Sequence, residues 1–179
     1  MKLTVAVALL LLGAAHFANA QDAKGAVQTF FDHCLAEGPR FDHVAKKANE
    51  EKWPPLAADM AMAFTPVGAP TAIEGWMIGE STAQDFEALV VFKAEVSGKR
   101  IEGCTLALSG SDAKAFEKEL TVRVGATGLG EETGQDTIYK KFQTKVAGRD
   151  VAVTLIIPRY PRGSDQVLVS AVAQILVEN

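Results

Sequence analysis

The sequence predicts an α+β domain: a mainly antiparallel sheet with two N-terminal helices and one further helix packed on it. Three observations carry this reading. Apolar residues recur at helical spacing near the N-terminus and again around Phe116, whereas from Phe86 onward the dominant period is two. The strand-like runs are joined by turns too short to hold a crossover, so neighbouring strands must be antiparallel. No linker or internal repeat divides the chain, and 179 residues with 48% AVILMFWYC suffice for one buried core.

Residues 1–20 read as a signal peptide. Lys2 supplies the positive start, residues 3–15 are almost wholly apolar, and Ala18-Asn19-Ala20 has the small-x-small pattern that signal peptidase cleaves. That apolar run is about 13 residues, where a bilayer span needs about 20, so no permanent membrane anchor is expected. Cleavage after Ala20 leaves residues 21–179 as a single α+β domain, periplasmic or secreted, one unit more negative than the precursor. The precursor carries 22 acids against 18 bases, a net charge of −4, which offers no polycationic footprint for nucleic acid.

Residues 23–37 predict the first helix. Val27, Phe30, Phe31, Cys34 and Leu35 fall at i, i+3, i+4, i+7 and i+8, and Gly38-Pro39 stops it. Residues 42–52 predict the second, with Val44, Ala45 and Ala48 inward and Trp53-Pro54-Pro55 as terminator. Residues 56–80, punctuated by Pro66, Gly68, Pro70, Gly75 and Gly79, read as short strands within loop. Phe86 to Val96 alternates, Ser97-Gly98-Lys99 turns, and residues 100–108 return as a hairpin. Ser111 is expected to cap a short helix reaching about Leu120, followed by a possible strand over 120–124. Residues 137–146, 150–157 and 166–177 read as a three-strand meander, with a tight turn at Ala147-Gly148-Arg149 and a longer loop over 158–164.

Two cysteines in an exported chain point to one disulfide. Cys34 lies on the apolar stripe of the first helix and Cys104 on the strand face shared with Leu106 and Leu108. A bond between them closes a loop of about 70 residues, worth roughly 4 kcal/mol in the loop-entropy model. Nothing resembles C-x-x-C, so redox catalysis has no motif.

Phe-Asp-His occurs twice. Asp32, His33, Asp42 and His43 offer zinc-type donors, although Asp42 at a helix start is more simply a cap and the histidines surface groups. Ser111-Asp112-Ala113-Lys114 matches S-x-x-K, but the S-D-N and K-T-G elements that accompany it in penicillin-recognising enzymes do not occur. Gly125 to Gly130 is glycine-rich, yet Glu131 and Glu132 stand where phosphate would bind, so a flexible connection is expected and no cofactor. Late basic residues, Lys141, Lys145, Arg159 and Arg162 among them, either solvate a sheet face or meet an acidic partner.

The pattern Phe30-x-x-x-Cys34, then Phe41-x-x-Val44, a helix closed by Trp53, and Cys104 after a hairpin resembles small exported proteins of alphaproteobacteria. These share an F-x-x-x-C first helix and an A-x-x-x-G-W segment. Here Ala48 and Trp53 stand in that segment, with Lys52 at the glycine position. The resemblance implies a periplasmic location and transfers no activity. The expected function is therefore a non-enzymatic periplasmic protein, stabilised by one disulfide, that binds an envelope protein or glycan. The alternatives are a small envelope hydrolase and a metal-binding protein using the Asp-His pairs.

Overall fold

The computed structural model describes residues 15–79, 86–124 and 127–175; most of the expected signal peptide lies outside them. Among the described residues seven strands form one antiparallel sheet: β1 Ala72–Met77, β2 Glu87–Val96, β3 Lys99–Ser111, β4 Thr127–Thr133, β5 Thr137–Val146, β6 Arg149–Pro158 and β7 Asp165–Gln174. Their spatial order is β1-β2-β3-β7-β6-β5-β4, so β7 joins an N-terminal ribbon to a C-terminal meander. Four α-helices accompany it: α1 Ala15–Phe30, α2 Phe41–Glu51, α3 Ala58–Ala63 and α4 Ala113–Val124. No described helix is long and apolar enough to cross a membrane.

The alternation read from the sequence sets the two faces. Leu89 and Val91, Cys104 and Leu106, Val151, Val153 and Leu155, and Val167, Val169 and Ala171 all point to one side. Val27, Phe30, Cys34 and Leu35 of the first helical segment, Val44 and Ala48 of α2, and Phe116 and Leu120 of α4 meet them there. The two tight hairpins follow their chemistry. Ser97-Gly98 and Ala147-Gly148 each place two consecutive residues at positive φ, the type I′ arrangement that matches strand twist.

Four expectations need correction. The first helix does not stay α-helical to residue 37: it passes into a π turn at Phe31–Leu35, which carries Cys34. Residues 56–80 contain a helix, α3, besides β1. Residues 120–124 are the last turn of α4, not a strand, because Leu120 continues the apolar side begun by Ala113 and Phe116. The glycine-rich segment is not a flexible connection, since Thr127–Thr133 pairs with β5 through a bulge between Gly128 and Gly130. Its glycines hide the alternation that betrays other strands. Gly125 and Ala126 lie outside the described residues.

At the end of α2, Lys52 adopts φ 56°, ψ 43°, a left-handed cap for which glycine is the natural residue.

Among the described residues the opposite face of the sheet is covered at its β1–β2 end. Leu56, just before α3, and Ala61 within it lie over Gly75, beside Val90. Further along, the Phe92 ring lies flat on Gly103, where a β-carbon would stand deep inside the ring's contact distance. Gly103→Ala should therefore cost about 1–3 kcal/mol by overpacking, read from denaturant unfolding. Adding Phe92→Leu should recover part of it, because the obstructing ring is then gone.

On the helical face Glu87 opens β2 half-buried, and its Oε1 has no hydrogen-bond partner. Burial pushes its carboxyl above the ordinary value of 4.5, and the nearby Thr29 hydroxyl offsets this in part. The stability that a raised folded value contributes is fully present below pH 4.5 and is lost as pH rises through the folded value. Glu87→Gln should then raise stability at pH 7 and leave it unchanged near pH 4. An equal effect at both pH values would contradict the burial argument.

Candidate functional site

The structure brings Cys34 and Cys104 together as a disulfide, with Cα atoms 5.3 Å apart and both residues fully buried. It joins the π turn to β3 at the centre of the core.

The two Phe-Asp-His copies sit at the corner between the first helical segment and α2, and each side chain has a different engagement. Asp32 accepts from Gln28 Nε2 at 2.6 Å. His33 meets the Trp53 ring edge-on, centroids 5.1 Å apart, with its Nδ1 buried and unpartnered. Burial and, after it, Lys47 push the His33 imidazole below its ordinary value, with Glu51 and Asp32 opposing and His43 adding least. Asp42 is held by Lys93 at 2.9 Å, and His43 faces Glu37 at 3.3 Å. Among the described residues no three His, Cys, Asp or Glu side chains gather as a metal set. No hydrogen bond links a serine or threonine hydroxyl to either histidine among them.

Ser111 proves to be the last residue of β3 and does not cap α4. Asp112 does, its Oδ1 accepting from the N–H groups of Lys114 and Ala115 at 3.0 Å each. The motif reading had placed the helix start one residue early.

The basic residues divide by partner. Lys141 and Lys145 lie on the face of β5 away from the helices, paired with Glu132 at 3.0 Å and Asp150 at 3.7 Å. Arg149 is not on a solvated face: its side chain is largely covered where it pairs with Glu102. Arg159 and Arg162 belong to the β6–β7 loop, and among the described residues neither guanidinium is paired with a carboxylate. Arg159 instead stacks over the ring of Tyr160, 5.5 Å from its centroid, and that tyrosine is 70% exposed.

This loop rims a groove of about 370 Å³ on the open face of the sheet. Ile156, Pro158 and Leu168 supply apolar lining, while Thr137, Ser164 and Gln166 supply hydroxyl and amide groups. Ile156 and Leu168 are directly paired across β6 and β7, and Tyr139 pairs with Ile156 from β5, so the lining continues along one cross-strand row. A second hollow of about 340 Å³ at the other end of the sheet is lined by Asp42 and Lys93, which pair with each other, and by Glu102, whose partner is Arg149.

Asp165, which the sequence reading passed over, holds the loop in place. Only 6% exposed, it accepts from the backbone N–H of Arg162 at 2.8 Å, Gly163 at 3.3 Å and Ala113 at 3.4 Å. One carboxylate thus fastens the loop to the start of α4. The signal was present in Gly163-Ser164-Asp165, a turn sequence ending in a residue that accepts from nearby backbone. Asp165→Ala should cost about 1–3 kcal/mol, since the buried Ala113 N–H and two half-buried loop donors lose a charged acceptor. Amide exchange at Arg162 and Gly163 should accelerate more than the global loss explains; unchanged protection there would refute the fastening role. No family model, curated protein or solved structure matches this chain, so the site is read from its own chemistry.

Proposed function

We propose that this is an exported, non-enzymatic binding protein that takes an anionic envelope partner at the groove beneath the β6–β7 loop. One observation carries the reading: among the described residues two loop guanidiniums stand without carboxylate partners, beside an exposed tyrosine, and Arg162 and that tyrosine line a formed groove. Unpaired arginines on a rigidly held loop are suited to bidentate recognition of carboxylate, sulfate or phosphate. Lys141 and Lys145 extend the positive character along β5 but already have partners, so their contribution is the smaller. The signal-type N-terminus, the disulfide and the resemblance to exported alphaproteobacterial proteins support the location.

The test is retention on an immobilised polyanion such as heparin at low salt. A chain of net charge −4 has no general reason to be retained, so binding reports a local patch. The protein should be held and eluted by salt, and Arg159→Ser with Arg162→Ser should abolish retention. Lys141→Ser with Lys145→Ser should only shift elution. Identical elution of the arginine double variant and the parent would sink the reading.

A further inference from the structure

We infer that the occupant of this groove is an acidic saccharide, a chain carrying uronate-type carboxylates, with a sugar ring against Tyr160 and its carboxylate at Arg162. The inference rests on the anion-binding reading above and narrows it.

The backbone beneath the groove argues first. β6 lies between β5 and β7, and β7 between β6 and β3, each paired along its length. No free ladder of N–H and C=O groups faces the occupant, so an extended peptide could not add as a strand and would leave its own backbone unsatisfied. A sugar chain has no such backbone to satisfy. Its demand is for hydroxyl and amide partners at the edge of each ring and apolar contact on the ring face.

The lining meets that demand. Thr137, Ser164 and Gln166 alternate with Ile156, Pro158 and Leu168, and about 370 Å³ falls in the range of small-molecule sites, about 300–1000 Å³. Tyr160 takes no part in the core, yet Arg159 stacks on it and braces the ring. An exposed, braced aromatic ring is a platform for the C–H face of a pyranose. Charge then selects among saccharides. Asp165 is consumed by three backbone donors, which leaves Asp136 as the other carboxylate on the rim, opposite Arg162, with Arg159 close by on the same loop. Asp136 is suited to accept from ring hydroxyls and Arg162 to hold the ligand's carboxylate.

Calorimetric titration of the purified protein with tetragalacturonate, the matching neutral tetrasaccharide and hexaglutamate tests this. Tetragalacturonate should bind saturably and at least about tenfold more tightly than either comparison ligand, the size of one charge-assisted contact. Arg162→Ala should weaken it by about tenfold or more, and Tyr160→Ala severalfold. Both residues are on the loop surface, and Arg162 keeps its backbone bond to Asp165 in either variant. Equal binding of the neutral tetrasaccharide overturns the role of charge. Tighter, Arg162-dependent binding of hexaglutamate overturns the saccharide assignment while the anion-binding reading stands. Binding of none of the three, together with no retention on heparin, overturns both.

Discussion

Replacing Cys34 and Cys104 together by alanine is expected to lower stability by about 4 kcal/mol while leaving the far-UV circular dichroism unchanged. The bond spans a sequence separation of 70 residues, so reducing it returns a large loop-closure entropy to the unfolded chain. Loss of two buried sulfur contacts acts in the same direction, as both cysteines are fully buried among Val27, Leu35 and Leu106. Because the covalent link acts mainly on the unfolded state, the folded topology persists without it. The measurement is guanidinium unfolding of oxidised parent, reduced parent and double variant. The reduced parent should lie close to the variant, separated only by the packing of the lost sulfurs. A variant within 1 kcal/mol of the oxidised parent would show that the rest of the core already fixes the first helical segment against β3.

That bond also marks how far the sequence could be read. Its partners were legible because each sat on a periodic face: Cys34 on the helical stripe after Val27 and Phe30, Cys104 in alternation with Leu106 and Leu108. The long hairpin and the meander were legible for the same reason, and their turns carry the Ser97-Gly98 and Ala147-Gly148 steps that type I′ geometry asks for. Where periodicity failed, so did the reading. β4 offers Gly128, Leu129 and Gly130 in place of alternating apolar residues, and only its pairing with β5 makes it a strand. α3 is six residues of alanine, methionine and aspartate between prolines, too short to show a stripe. Lys141 and Lys145 were visible as a positive face, but the pairing of each with its acid depends on register. The division between free Arg159 and Arg162 and largely covered Arg149 is wholly a tertiary fact. A charge in the sequence carries no mark of whether its partner lies across the sheet.

Glu102→Ala is expected to destabilise the protein by about 3–5 kcal/mol, more than any exposed ion pair in it. Arg149 Nη2 lies 2.9 Å from Glu102 Oε1, with side chains only 11% and 12% exposed. The pair is embedded in a wider set of bonds. Glu102 Oε2 accepts from the N–H of Phe41, the first residue of α2, at 3.1 Å. Arg149 Nη2 also donates to the carbonyl of Gln174 at 2.8 Å. One largely covered carboxylate therefore ties β3 to the start of α2 and, through Arg149, to β6 and the end of β7. Removing it strands a guanidinium whose Nε is already buried without a partner. Glu102→Gln should cost less, because an amide oxygen still serves one of the two donors while the charge is lost. Glu102→Leu with Arg149→Met should recover most of the loss, since no charge is then left in the interior, but should stay about 1 kcal/mol short because the Phe41 amide has no acceptor. A double-mutant cycle in denaturant reads the coupling directly. It should persist at 1 M salt, where an exposed pair would be screened away. A cost below 1 kcal/mol for Glu102→Ala, or a coupling abolished by salt, would mean that water reaches the pair and that packing alone holds α2 on the sheet.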